Sequence, residues 1–149
     1  MADETAAACI FCSIMRGEIP ASIVAETDRV FAFMDIQPVN PGHVLVIPRA
    51  HATYLADLDA KVGGEIFQLA MQIADGLRHS GLRCEGVNLF LADGVAAGQE
   101  VFHVHLHVFP RFEGDGFGLR FGPDYGQRPA REELDRIATS IKGAMPRRR

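Results

Sequence analysis

Apolar positions along this chain fall into short alternating or continuous runs, interrupted by two longer stretches with helical spacing. Residues 23–26 and 29–34 are apolar runs joined by Thr27-Asp28, which predicts a β-hairpin. Pro38-Val39-Asn40-Pro41-Gly42 is a rigid turn, and residues 43–48 after it read as a third strand closed by Pro48. Residues 86–91 predict a fourth strand. In residues 103–109 the alternation is strict, with Val104, Leu106 and Val108 interleaving His103, His105 and His107. A period of two in a run rich in Val, Leu and Phe predicts a fifth strand. One of its faces then carries three imidazoles and the other an aliphatic row suited to a core. Val62, Ile66, Leu69, Ile73 and Leu77 recur at helical spacing, predicting a helix capped by Asp59 and running to about Ser80. A second helix is expected from near Pro129, with Leu134, Ile137, Ala138 and Ile141 on its buried side and Pro146 at its end. Residues 9–16 read as a short turn or helix stopped by Gly17 and Pro20. Strands that mostly follow one another, with one long helix between them, predict an α+β fold with an antiparallel sheet.

Composition narrows the class. The chain has 149 residues, 48% of them hydrophobic, and a formal net charge of -4, which suits one globular domain with a sizeable core. No basic stripe with interleaved aromatics exists. The basic run Arg147-Arg148-Arg149 stands alone and is expected to be a solvated tail, so a nucleic acid polymer is not an expected partner. No apolar run approaches the roughly 18 residues a membrane span requires. Residues 1–8 lack the layout of a signal peptide. Three cysteines, an odd number, argue against a secreted disulfide framework and for a reducing, cytoplasmic setting.

The histidine run carries the chemistry. Three of the six histidines of the chain lie at every second position, which composition alone does not produce readily and which argues against three incidental surface rings. A catalytic metal site is one reading. His103 and His107 would lie about 13 Å apart on a strand at roughly 3.3 Å per residue. Metal–nitrogen bonds are about 2.0–2.1 Å long, so at most two of the three rings could share one ion. The other reading is group transfer at phosphorus through a histidine nucleophile. A neutral imidazole can attack once one nitrogen is free and the other is held protonated by an acceptor. His105, with an imidazole on each side, is the natural nucleophile.

Three motifs in order carry a resemblance. Ala97-Gly98-Gln99-Glu100-Val101-Phe102 leads into the histidine run. Phe33-Met34-Asp35-Ile36-Gln37-Pro38 runs through Asn40-Pro41-Gly42-His43 to Ile47-Pro48. Cys9-Ile10-Phe11-Cys12 precedes Gly17-Glu18-Ile19-Pro20. Together they resemble the histidine-triad (HIT) superfamily over about residues 9–111. The resemblance implies a single HIT domain over residues 1–149, with a core at 9–111 and a C-terminal extension bearing a helix at about 129–144. It also implies a roughly five-stranded antiparallel sheet, two main helices and a homodimer built largely on the long helix and the central strands.

The resemblance further implies a hydrolase that passes through a covalent nucleotidyl-histidine intermediate. His105 matches the nucleophile, and the main-chain carbonyl of His103 the group that holds its second nitrogen protonated. His107 matches the residue contacting the phosphate and leaving atom, and His43 a fourth histidine lining the site. Asp35 matches the residue that holds the ribose hydroxyls, Ile36 a wall for the base, and Gly98, Gln99 and Val101 the phosphate loop. Read without the resemblance, Asp35 is a turn residue initiating the Pro-rich loop. Histidine at the third triad position leans toward hydrolysis. Ala92 departs from the pattern, since relatives usually carry Asn or Gln there, and a lost hydrogen bond costs about 0.5–1.5 kcal/mol. Cys9-x-x-Cys12 alone leaves a redox pair, half a zinc site or coincidence open. The zinc-binding branch implies Cys9, Cys12, His51 and His103 as a closed, structural Cys₂His₂ set. The expected substrate is an AMP-like nucleotide, a purine nucleoside phosphoramidate first and a dinucleoside polyphosphate second, with no catalytic metal required. The rivals are a low-turnover nucleotide-binding interaction module and a zinc hydrolase using His105 and His107.

Overall fold

The computed structural model describes residues 5–146, so the Arg147–Arg149 run and residues 1–4 lie outside the described residues. The described residues form two compact units, divided between Phe117 and Gly118. The first holds helix α1 (Ile10–Met15), strands β1 (Ile23–Glu26), β2 (Val30–Met34) and β3 (Val44–Pro48), helix α2 (Ala60–His79), and strands β4 (Gly86–Phe90) and β5 (Leu106–Arg111). The strands make one antiparallel sheet in the order β1-β2-β3-β5-β4. The α+β antiparallel fold expected from the sequence is the fold observed.

Both faces of β2 and β3 are covered, which is why they read as continuous apolar runs. One face of β2 and β3 presents Val30, Ala32, Val44 and Val46 to Val62, Ile66, Leu69, Ile73 and Leu77 of α2. The alternate residues Phe31, Phe33, Leu45 and Ile47 pack against Cys9, Phe11 and Cys12 around α1. Each such side chain, fully buried, contributes about 1.5–3 kcal/mol. The Asp59 carboxylate caps α2 by accepting from the Lys61 and Val62 amides, satisfying two of the free donors at the helix start. Leu106 and Val108 join the α2 side. The period of two therefore places His107 and Phe109 on the other face of the sheet.

Two expectations change. The fifth strand begins at Leu106, whereas the alternation predicted it from residue 103. His103 and His105 lie before the ladder, because the first β3–β5 pairs are Val46 with Leu106 and Leu45 with His107. In the second unit α3 (Arg131–Ala144) forms as expected. Its apolar stripe is not buried, however: Leu134, Ile137 and Ile141 are exposed and the helix buries no residue. Helical periodicity identifies a face, but a covering partner has to be supplied from elsewhere.

Gly42 shows how tightly the turn before β3 is drawn. Its φ is +106°, and a Cβ there would stand 3.0 Å from Leu77 and Leu82 side-chain carbons and 3.2 Å from Pro110. Only glycine meets both conditions, and it fixes where the following His43 emerges.

Candidate functional site

His105 is buried, with its Nδ1 2.7 Å from the carbonyl oxygen of His103. A carbonyl only accepts, so Nδ1 carries the proton and Nε2 keeps its lone pair. Burial lowers the pKa of the ring, which favours this neutral, nucleophilic form. The Phe11 ring meets His105 edge-on at 5.2 Å, walling it on the α1 side.

His107 follows at a ring separation of 4.9 Å. Its Nδ1 is 2.9 Å from Nε2 of His43, and the Val39 amide donates to Nδ1 of His43 at 3.0 Å. Two protonation states follow from that amide. With Nδ1 of His43 accepting, its Nε2 carries the hydrogen and donates to Nδ1 of His107. The neutral His107 ring then bears its own hydrogen on Nε2. Burial first, then charge on His105 and His43, pushes the His107 pKa down to about 4. His43 is buried, and burial lowers its pKa as well. Here a lone pair on one ring stands beside an N–H donor on the next, a pairing suited to attack on phosphorus with support for a leaving atom.

The Asp35 carboxylate sits beside this pair, with Oδ2 3.5 Å from Nε2 of His43, while Oδ1 accepts from the Gln37 amide at 2.8 Å. One oxygen thus orders the turn, and the other faces the histidines. Ile36 next to it is exposed, available to an apolar ligand face. Gly98 ends a short turn with φ +93°. Gln99 is buried, and its amide is spent inside the loop, accepting from the Gly94 amide and donating to the carbonyls of Thr53 and Val101. The Gln99 side chain is therefore not free to reach outward. Val101 is half-buried against the cluster that contains Phe11 and Leu45. Ala92 is buried and offers no polar group.

His103 faces another way. Its Nε2 donates to the Pro48 carbonyl at 2.8 Å, which leaves the Nδ1 lone pair directed at Cys9, Cys12 and His51. Nδ1 stands 3.5 Å from Cys9 Sγ, 3.6 Å from Cys12 Sγ and 3.2 Å from His51 Nδ1, and His51 Nδ1 is 3.5 Å from Cys12 Sγ. Tetrahedral zinc, with bonds of about 2.3 Å to sulfur and 2.0–2.1 Å to nitrogen, sets neighbouring S and N ligands about 3.6 Å apart and two nitrogens about 3.3 Å apart. The four donors fit that geometry and could hold the ion. Burial and the neighbouring Cys9 push the Cys12 thiol up to about 11, so without a cation that thiol stays protonated. Burial pushes the His103 ring down to about 4, keeping it neutral as a ligand must be. His105 and His107 do not share a donor set: among the described residues, the other candidate set is Asp35, His43 and His107.

Sequence reasoning missed the groups that orient these rings. The Val39 amide and the Pro48 carbonyl are main-chain atoms with no residue signature. Phe109, whose ring lies 4.9 Å from that of His43, is given no role by the sequence pattern.

The HIT domain family matches residues 16–114. A crystal structure of a HIT family protein from Bacillus anthracis superposes with a TM-score of 0.85 at 37% identity, covering 98% of this chain and 100% of its own. A zinc-bound histidine triad family protein from Mycobacterium smegmatis gives a TM-score of 0.73 at 35% identity over 95% of this chain and 100% of its own. The adenosine 5'-monophosphoramidase of Schizosaccharomyces pombe is 35% identical over 134 residues, 89% of this chain and 95% of that protein.

Proposed function

The chain belongs to the HIT domain family, and from that premise we propose that it hydrolyses purine nucleoside phosphoramidates through a nucleotide bound covalently to His105. The observation that carries the proposal is the 2.7 Å contact from His105 Nδ1 to the His103 carbonyl, which leaves Nε2 as a nucleophile. In the first step His105 Nε2 bonds to the α-phosphorus as the P–N bond breaks. The Nε2 proton of His107 passes to the departing nitrogen, which leaves as the amine. In the second step water attacks the same phosphorus and its proton returns to His107 Nε2, the nucleoside monophosphate departs and the His105 lone pair is restored. Asp35 would accept from the ribose hydroxyls, Ile36 would face the base, and main-chain groups around Gly98, Gln99 and Val101 would receive the phosphate oxygens. A homologue that is an adenosine 5'-monophosphoramidase supports this substrate class.

One zinc ion held by Cys9, Cys12, His51 and His103 would serve the fold and take no part in these steps. The apolar side chains exposed on α2 (Phe67 and Met71) and on the edge strand β4 (Leu89 and Phe90) support pairing of two copies. Three free cysteines suit a cytoplasmic setting.

Ala92 favours a second reading, a low-turnover nucleotide-binding module, or a hydrolase of dinucleoside polyphosphates with a weak grip. Intact-mass measurement after mixing with adenosine phosphoramidate, and separately with a dinucleoside polyphosphate, tests the choice. A nucleotide adduct in the His107→Gln protein, absent when His105→Ala is added, supports the covalent route. Steady turnover by His105→Ala itself would overturn it.

A further inference from the structure

Asp115 follows β5 in a short glycine-rich turn, yet its side chain is only 2% exposed. Oδ2 accepts from Arg111 Nε at 2.6 Å, Asn40 Nδ2 at 2.8 Å and the Phe112 amide at 3.2 Å. Oδ1 accepts from Arg111 Nη2 at 2.8 Å and the Phe117 amide at 3.2 Å. The Arg111 guanidinium, followed by Asn40, holds this carboxyl well below the usual carboxylate range. An ion pair that only closed the end of β5 would have no reason to reach Asn40, which precedes β3.

Two routes lead from this carboxylate to His43. Along the first, Asn40 Nδ2 bridges Asp115 and the Pro110 carbonyl, at 2.8 and 2.9 Å, anchoring the turn from below. The Asn40 carbonyl accepts from the His43 amide at 3.2 Å, and the adjoining Val39 amide donates to His43 Nδ1. Along the second, the Arg111 guanidinium lies 4.7 Å over the Phe117 ring, Phe117 meets Phe109 at 5.3 Å, and Phe109 meets His43 at 4.9 Å. Both routes end on the ring whose Nε2–H is directed at His107.

We propose that Asp115 is a positioning residue for the His43–His107 pair, acting through Asn40 and through the Phe117–Phe109 stack to hold His43 with its Nδ1 under the Val39 amide. Its kinetic consequence rests on the nucleotidyl-transfer reading above; its structural consequence does not. Asp115→Asn keeps the shape and removes the charge that gathers Arg111 and Asn40.

The test compares wild type, Asp115→Asn and Asn88→Ala. Asn88 accepts from Arg111 Nη1 at 2.6 Å and is hydrogen-bonded to neither Asn40 nor Phe117; it lies across the ladder from Phe109, and alanine there keeps that main-chain pairing, so the substitution removes a brace of Arg111 and leaves the first route intact. Ring-nitrogen NMR of the unliganded proteins reports whether His43 holds its hydrogen on Nε2. Steady-state kinetics with adenosine phosphoramidate report kcat and KM separately. Asp115→Asn is expected to mix the His43 tautomers and to lower kcat on the order of 10–100-fold, the scale of a small misplacement, with KM little changed. Asn88→Ala is expected to change neither. The proposal is overturned if folded Asp115→Asn keeps the wild-type ring signals and kcat and loses only thermal stability. Equal effects of Asn88→Ala and Asp115→Asn would overturn it too, as general loosening of the loop. Should Asp115→Asn fail to fold, Asn40→Ala, which cuts the first route and keeps the ion pair, must mix the tautomers or the proposal fails. If wild type shows no His105-dependent turnover, the functional reading falls and the ring signals alone decide the role of Asp115.

Discussion

Acidification should loosen this fold through the His107 ring, by an amount the structure sets. Burial, aided by charge on His105 and His43 and opposed by Asp35, takes its pKa from 6.5 to about 4. The folded state therefore holds the ring neutral where the unfolded chain already binds a proton. Between pH 6.5 and about 4 the unfolded state carries more protons, so stability falls as pH falls. The contribution is complete above pH 6.5, is lost progressively through that interval and levels off below about 4. At about 1.36 kcal/mol per pH unit the loss is at most about 3 kcal/mol, and solvent contact at the half-open side of the ring reduces it. His107→Gln isolates the effect, since Gln can still accept from His43 Nε2–H but does not titrate. Urea unfolding of both proteins with metal bound, in steps between pH 4 and 7, gives the difference in unfolding free energy at each pH. The acid response of the Cys/His cluster is common to both and cancels. The difference should stay constant above pH 6.5 and shift toward the variant by up to about 3 kcal/mol at pH 4. Parallel curves across the interval would refute the assignment of a ring kept neutral by burial.

Three further outcomes are expected. Cys12→Ser should abolish retention of one zinc per chain by metal analysis and cost more than about 3 kcal/mol, lowering Tm by roughly 6–12 °C. Phe109→Ala, which empties a site 2% exposed between His43 and Phe117, should cost about 3–5 kcal/mol in urea unfolding. Asp35→Asn should lower kcat/KM for adenosine phosphoramidate by roughly 10–100-fold through loss of about 1.5–3 kcal/mol of charged hydrogen bonding, with little change in Tm.

The hairpin, β3 and α2 were legible because their patterns are local: alternation, a Pro stop, an Asp cap and a helical stripe are all read within a few residues. The start of β5 was not, because a contact between residues far apart in the chain overrides the alternation. His103 is turned toward Cys9, Cys12 and His51, 94, 91 and 52 positions away. The identity of the site was legible in side chains that are chemically distinctive, His105, His107, His43 and Asp35. Of its protonation pattern, the His103 carbonyl was implied by the resemblance, but the Val39 amide was not, since every residue but proline carries such a group. Gln99 illustrates the opposite risk. Its position suggests a side-chain donor to phosphate, whereas buried carbonyls of Thr53 and Val101 claim that amide.

Position 103 explains how three like side chains in a row come to differ. The antiparallel ladder holds β5 only from Leu106 onward. Ahead of it, the chain is held by the Val104 amide on the Ala52 carbonyl at 2.7 Å and by the His103 ring between Pro48 and the Cys/His corner. The ring of His103 therefore belongs to that corner, while its carbonyl points along the chain to His105 Nδ1. A residue fixed by its side chain presents its main chain as a rigid acceptor, so the corner sets the tautomer of the His105 ring without touching it. His107, already inside the ladder, takes its orientation instead from β3 through His43. Each ring is poised by a different element, and this is what lets one bear a lone pair while its neighbour bears a hydrogen.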